Sequence, residues 1–243
     1  MKLTFLGTGS GVCENSRFCS AAAITVKGVT YVIDAGAPIA TLLQTKGIKL
    51  ETVKAVFITH NHGDHISGLP EFVIQLNCHH ARFFPGAHAD IYVPDARPHQ
   101  HTLWGCAHTA ITDLKEYGEG LVYEDELIRI TSFKTNHMEY SFGFLVEAEG
   151  KRVVFSGDFA GDLSDYPKVL TEADNDIAVV EAGHPRLNKP ENIAIFKKTR
   201  ARHILINHYS PTRNPLSYVE EFKAAMGDNF DITLLEDGDV FLL

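Results

Sequence analysis

Three histidines and an aspartate fall within six positions in Thr59-His60-Asn61-His62-Gly63-Asp64-His65. Imidazole nitrogens beside a carboxylate are the donor set of zinc and related transition metals. His60 and His62 alternate, so an extended backbone turns both rings to one side. Asp64 and His65 fall in the following turn and face a second point a few ångströms away. The helical metalloprotease pattern does not apply, because no Glu follows the first His and no two of these histidines are four apart. The competing reading is a chance cluster of surface histidines. Histidine is frequent throughout, at 13 residues in the chain.

Such a motif needs elements that deliver it to one place. It directly follows 53–58, a β-branched apolar run that reads as a buried strand, and precedes 68–78, which reads as a helix. Segments 2–6, 21–26 and 30–33 read as strands, with Lys27-Gly28-Val29 as the turn between the last two. Segment 38–46 reads as a short helix between a Pro and Gly47, and 90–93 as a strand. The stretch 94–120 has the least pattern. A second series follows: strands 126–133, 142–147 and 152–155, with Glu149-Gly150 at a hairpin turn, then a helix over 166–171. Strand 177–181, helix 190–199, strand 203–206 and the amphipathic helix 215–226 come next, before closing strands 232–235 and 240–243 around Asp237-Gly238. The order of elements occurs twice without a linker. It predicts a single α/β domain over 1–243, built as an αββα sandwich.

Composition bounds the function. Hydrophobic residues make up 44% and charged residues 22% of 243, which excludes a disordered chain, a collagen-like fibre and a coiled coil. No apolar run reaches the roughly 18 residues that span a bilayer. Residues 1–7 lack the pattern of a signal peptide, so no membrane partner and a cytoplasmic location are expected. Lys plus Arg is 22 against 31 Asp plus Glu, and a net charge of −9 disfavours nucleic acid as a partner. Cys13, Cys19, Cys78 and Cys106 contain no C-x-x-C pair and read as reduced thiols, with Cys13 and Cys19 as packing residues.

His60-x-His62-x-Asp64-His65 after a strand resembles the signature of the metallo-β-lactamase superfamily. The resemblance covers nearly the whole chain. Residues 5–11 look like that family's opening strand and glycine loop, and Ile33-Asp34-Ala35-Gly36 like its first motif. His137, Ser156-Gly157-Asp158 and Asn207-His208-Tyr209-Ser210-Pro211 look like the third, fourth and fifth motifs. The resemblance implies a four-layer αβ/βα sandwich with the site at one edge. It implies two divalent metal ions, zinc first, manganese or iron as alternatives. His60, His62 and His137 would hold the first ion, Asp64, His65 and His208 the second, and Asp158 would bridge them beside a shared hydroxide. Asp34 would orient a ligating His, or else is a turn residue before Gly36. The flavin-dependent diiron branch has a carboxylate where this chain has His62, which argues against redox chemistry.

Two such ions suit hydrolysis. The residues 208–211, and His137 followed by Ser141-x-Gly143, resemble the branch of tRNase Z and the small cyclic phosphodiesterases. Only 21 positions separate His137 from Asp158, with no room for the basic arm of tRNA-processing relatives. The expectation is therefore a dinuclear phosphodiesterase for a small-molecule (phospho)ester. A lactonase or thioesterase is the alternative, followed by a tRNA 3′-endonuclease and a non-catalytic metal or nucleotide sensor. A homodimer is common in the branch. Asp64 and His184 are the candidate catalytic residues. His184 reads either as the proton donor to the leaving group or as a loop residue before Pro185. Glu181 reads as a solvated strand terminus rather than an orienting carboxylate. His79, His80, His88, His99, His101 and His108, with Phe83, Phe84 and Trp104, lie in an insert at about 79–120. That insert reads as a substrate-recognition lid, a surface loop, a subunit contact or a third metal site.

Overall fold

The computed structural model describes residues 1–11, 17–100 and 112–243. Cys13, His101, Trp104, Cys106 and His108 lie outside the described residues. The strands are β1 (Lys2–Gly7), β2 (Ala21–Val26), β3 (Val29–Ile33), β4 (Val53–Phe57), β5 (Ala89–Val93), β6 (Thr112–Glu116) and β7 (Gly120–Glu124). They continue as β8 (Arg129–Lys134), β9 (Phe142–Ala148), β10 (Lys151–Phe155), β11 (Asn175–Ala182), β12 (Ala201–Tyr209), β13 (Asp231–Leu234) and β14 (Val240–Leu242). The helices are α1 (Ile39–Thr45), α2 (Gly63–Ile66), α3 (Leu69–Arg82), α4 (Lys168–Thr171), α5 (Pro190–Phe196) and α6 (Leu216–Met226). None of them is long and apolar enough to cross a membrane.

Two seven-stranded sheets form, in the orders β14-β1-β2-β3-β4-β5-β6 and β13-β12-β11-β10-β9-β8-β7. Period-two alternation decides their packing. In β4 and just after it, Val56 and Ile58 pack with α1 and α3, while Ala55 and Phe57 face the other sheet. In β12, Ile204 and Ile206 face α5 and α6, while Leu205 points between the sheets. Each sheet is thus apolar on both faces. One face must meet helices and the other the second sheet, which gives the expected four layers.

The turns follow from backbone sterics. Lys27 (φ 48°) and Gly28 (φ 86°), like Glu149 (φ 52°) and Gly150 (φ 73°), are left-handed pairs. Two consecutive positive φ values make the two-residue turn whose twist matches flanking antiparallel strands. Val29 already belongs to β3, so the first turn is one residue shorter than its sequence suggests. The segment 126–128 is not strand; Leu127 and Ile128 donate their amides to Asp125 Oδ1 at 2.8 and 3.0 Å. The last two strands do not pair with each other: β13 joins β12, and β14 joins β1 across the sandwich.

Asp125 also accepts from Tyr31 Oη (2.6 Å), Tyr123 Oη (2.8 Å) and Lys54 Nζ (2.9 Å), joining residues of both sheets. Burial raises its carboxyl pKa, but these donors outweigh it and hold the pKa well below the usual carboxylate range. The stability from this depression is present above the unfolded pKa of about 3.9 and is lost as pH falls through the folded value. Asp125→Ala is expected to lower unfolding free energy by about 2–3 kcal/mol, because it strands two tyrosine hydroxyls. Urea denaturation checks the loss at neutral pH. Equal acid sensitivity of the variant and the parent below pH 4 would contradict the linkage.

Candidate metal centre

Strand ends build the site. Asp34 directly follows β3, Thr59 and His60 come just after β4, β8 leads to His137, β10 to Asp158, Glu181 is the penultimate residue of β11 and β12 carries His208. All of these strands run toward one edge of the sandwich. Asp34 (φ 61°) and His208 (φ 48°) adopt left-handed backbone, which is uncommon for a side-chain-bearing residue and marks sites where geometry is imposed.

Two donor clusters result. In the first, His62 Nδ1 lies 3.1 Å from His60 Nε2 and 3.0 Å from His137 Nε2. In the second, His208 Nε2 lies 3.2 Å from His65 Nε2 and 3.0 Å from Asp64 Oδ2. Asp158 Oδ2 stands between them, at 3.4 Å from His65, 3.5 Å from His208, 3.6 Å from His60 and 3.9 Å from His137. The sequence-predicted donors all converge here, four from the segment after β4 and three from the second sheet.

Outer contacts fix the rings. His65 Nδ1 donates to Asp34 Oδ2 at 2.8 Å, and His137 Nδ1 to Phe159 O at 3.0 Å. Thr59 Oγ1 lies 3.0 Å from both Asp34 oxygens and 3.1 Å from His60 Nδ1, so it donates to the carboxylate and accepts from the ring. These bonds assign the Nδ1 protons and leave the Nε2 lone pairs facing inward. Asp34 is therefore more than a turn residue.

The donor set fits divalent cations on two grounds. Ring nitrogens 3.0–3.2 Å apart point lone pairs at one another. Zinc–nitrogen bonds of about 2.0–2.1 Å in tetrahedral array put neighbouring nitrogens roughly 3.3 Å apart. In addition, Asp158 Oδ2 is fully buried and has no hydrogen-bond partner among the described residues. Burial raises the Asp158 pKa, but His208 and His65 overcome it and hold the carboxyl well below its usual range. Conversely, burial lowers the His208 pKa, but Asp158 and Asp64 outweigh it and push the ring up to about 10. Burial beside His65 drives His60 down to about 2.

Glu181 corrects an expectation. It is buried (2% exposed), not solvated. Its carboxylate accepts from the amides of Phe159 (2.8 Å), Gly183 (2.8 Å) and His184 (2.9 Å), and from His184 Nδ1 (3.1 Å). The available signal is a carboxylate directly after the apolar run Ile177–Val180, in a strand that runs toward the other donor-bearing ends. His184 Nδ1 also lies 3.7 Å from Asp158 Oδ2, and its ring stacks on His208 with centroids 5.6 Å apart. The side chain is 32% exposed, between the buried donors and solvent.

The insert histidines scatter. His79 and His80 belong to α3, where His79 Nε2 sits 2.8 Å from Glu51 Oε2. His88 approaches Asp90 (2.9 Å) and Asp113 (4.0 Å), but Lys115 Nζ already neutralises Asp90 at 2.6 Å. His99 is buried and reaches Asn61 Oδ1 at 2.7 Å. Cys19 is buried and Cys78 exposed.

Comparison with known proteins follows the same lines. The family model described as Anti-Pycsar protein Apyc1 matches residues 1–227. Ribonuclease Z of Anoxybacillus flavithermus is 32% identical over 155 residues, which cover 60% of this chain and 48% of that protein. The chain thus spans about half the length of the curated relatives it matches. The metallo-beta-lactamase fold protein YhfI from Bacillus subtilis superimposes with a TM-score of 0.78 at 18% identity, covering 99% of this chain and 98% of that one. Human tRNase Z, short form, gives a TM-score of 0.73 at 23% identity, covering 100% of this chain and 99% of that one. At these identities both structures speak for the fold, which is the metallo-β-lactamase fold.

Proposed function

The chain belongs to the Anti-Pycsar protein Apyc1 family, within the tRNase Z-like branch of the metallo-β-lactamase superfamily, and from that premise we propose that it is a dinuclear metal-dependent phosphodiesterase acting on a small phosphodiester. One observation carries the reading: ring nitrogens of His60, His65, His137 and His208 lie within 3.9 Å of a single buried carboxylate oxygen of Asp158 that has no hydrogen-bond partner among the described residues. His60, His62 and His137 are proposed to hold one ion, Asp64, His65 and His208 the other, and Asp158 to contact both. Zinc suits the donors best, and manganese or iron is compatible. The ions would supply an acidified water and neutralise phosphoryl charge. The unit over 1–243 is proposed to work as one domain.

The chain's own residues prepare the rest. Asp34 and Thr59 hold His65 and His60 in one orientation. Glu181 takes the His184 Nδ1 proton in a hydrogen bond, so Nε2 is the atom that holds or yields a proton. That same hydrogen bond, with the charges of Glu181 and Asp158, raises the His184 pKa against burial. A raised imidazole pKa favours the protonated form, which suits a donor to a leaving alkoxide. His184→Gln is therefore expected to lower kcat about a hundred-fold on alkyl phosphodiesters, with metal content unchanged. An aryl ester with a nitrophenolate leaving group needs no acid and should lose far less. Equal losses on both esters would remove His184 from that role.

The test of the function is a substrate panel run on metal-analysed protein: a bis-aryl phosphodiester, a lactone, a thioester and a precursor tRNA. Phosphodiester turnover is expected. Lactone or thioester turnover alone would reassign the protein to carbonyl hydrolysis. A tRNA endonuclease is the second reading, favoured by relatives named Ribonuclease Z against the electrostatic argument from a net charge of −9. The two-residue β9–β10 turn holds no arm between His137 and Asp158, which weighs against it. A sensor would bind metal and turn over no ester.

A further inference from the structure

The rings of the first donor cluster are not held alike. His60 Nδ1 is bonded to Thr59 Oγ1 and His137 Nδ1 to the Phe159 carbonyl, so both present Nε2 to the cluster. His62 presents Nδ1 instead, the ring nitrogen nearer its own backbone. The residue is exposed, and no described residue outside the cluster bonds to its ring. Its placement therefore depends on the backbone at 61–62. After the ring, His62 O accepts from the His65 amide at 3.0 Å. Before it, the anchor is the side chain of Asn61, which stands between His60 and His62.

Asn61 is held from two directions. Its Nδ2 donates to Asp95 O at 3.0 Å, and its Oδ1 lies 2.7 Å from His99 Nε2. A carbonyl can only accept, so the first bond orients the amide, and the second then places a proton on His99 Nε2. His99 is buried, and burial lowers its pKa, which favours the neutral ring with a single donor. The segment that carries His99 is braced in turn. The Ala96 amide donates to Glu116 Oε1 on β6 at 2.8 Å, and the His99 amide to Ala96 O at 3.0 Å. Fixed contacts thus run from the edge of the first sheet, through His99, to the residue between two proposed ligands. A histidine that only filled space would work equally well as an apolar side chain of the same volume.

We propose that Asn61 and His99 are positioning residues that set His62 for the ion of the first cluster. The proposal rests on the two-ion reading of the site. Its test is titration of the full chain with zinc in competition with a chromophoric chelator. His99→Leu keeps the volume but strands Asn61 Oδ1. It is expected to weaken one ion roughly ten- to a hundred-fold, as loss of an outer contact to a ligating group does. That ion should be the one that His62→Ala weakens, and the other should keep its affinity. His99→Gln returns an N–H donor and should restore most of the loss. Asn61→Ala, at a half-buried position, should reproduce it, and the double variant should bind no more weakly than either single one. Parental affinities in both Asn61→Ala and His99→Leu, equal weakening of both ions, additive losses, or no rescue by glutamine would overturn the proposal. A parent that binds fewer than two ions overturns the two-ion reading and the proposal with it. A parent with two ions and this His99 dependence that hydrolyses no phosphodiester keeps the positioning role and loses the catalytic reading.

Discussion

Asp158→Ala should remove nearly all turnover, by about a thousand-fold or more, equivalent to about 4 kcal/mol of transition-state stabilisation. The reason is the position of one oxygen. Oδ2 lies within 3.9 Å of nitrogens from both donor clusters, and no other carboxylate among the described residues does so. Its loss leaves each cluster with only its own donors and no shared anion. Metal content by elemental analysis should fall below two per chain. The sheets should stay packed, because this oxygen makes no hydrogen bond among the described residues and Asp158 lies outside the three apolar clusters. A variant with near-parental turnover and two ions would refute the bridging role.

Gly36→Ala should do comparable damage by another route. A Cβ on Gly36 would stand 1.7 Å from the carbonyl oxygen of Asp64. The obstacle is backbone, so no rotamer relieves it. The segment after β3 is already fixed there: Gly36 N donates to Ser20 O at 2.9 Å and Ala35 N to His65 O at 2.7 Å. Either this segment or α2 must move, and α2 carries Asp64 and His65. The expected loss is about 3 kcal/mol of stability together with metal at the second cluster. Gly63→Ala is the control, because a Cβ there meets no described atom within 4 Å. Thermal unfolding and metal analysis of both variants decide the matter. Equal behaviour of the two would contradict the steric account.

Much of this architecture is legible in sequence because buried strands in a layered fold are apolar and bounded by turns. β4, β11 and β12 declare themselves in that way, and the donors sit where those runs stop. β6 and β7 do not. Thr112-Asp113-Leu114-Lys115-Glu116 and Gly120-Leu121-Val122-Tyr123-Glu124 lie at sheet edges, where charged residues are favoured because they discourage further pairing. The pairing of β14 with β1 is hidden for a different reason. The turn at Asp237-Gly238 looks like a hairpin, yet Asp237 is used elsewhere, accepting from the Thr8 amide at 2.9 Å and Oγ1 at 2.7 Å. Glu181 was unreadable in its environment, since its burial comes from neighbours supplied by β10 and β12. Asn61 gave no signal at all, because its partner His99 lies 38 positions away.

The seven donors are divided between the sheets: His60, His62, Asp64 and His65 hang from the first, His137, Asp158 and His208 from the second. Any ion seated among them is a rivet through the open rim of the sandwich. Tightening it pulls the amino-terminal and carboxy-terminal halves together, and drawing it out loosens the rim before the apolar interior. Occupancy and resistance to unfolding should therefore rise in step with free cation concentration, following RT ln(1 + [L]/Kd). On the proposed reading, the same atoms would serve reaction and cohesion.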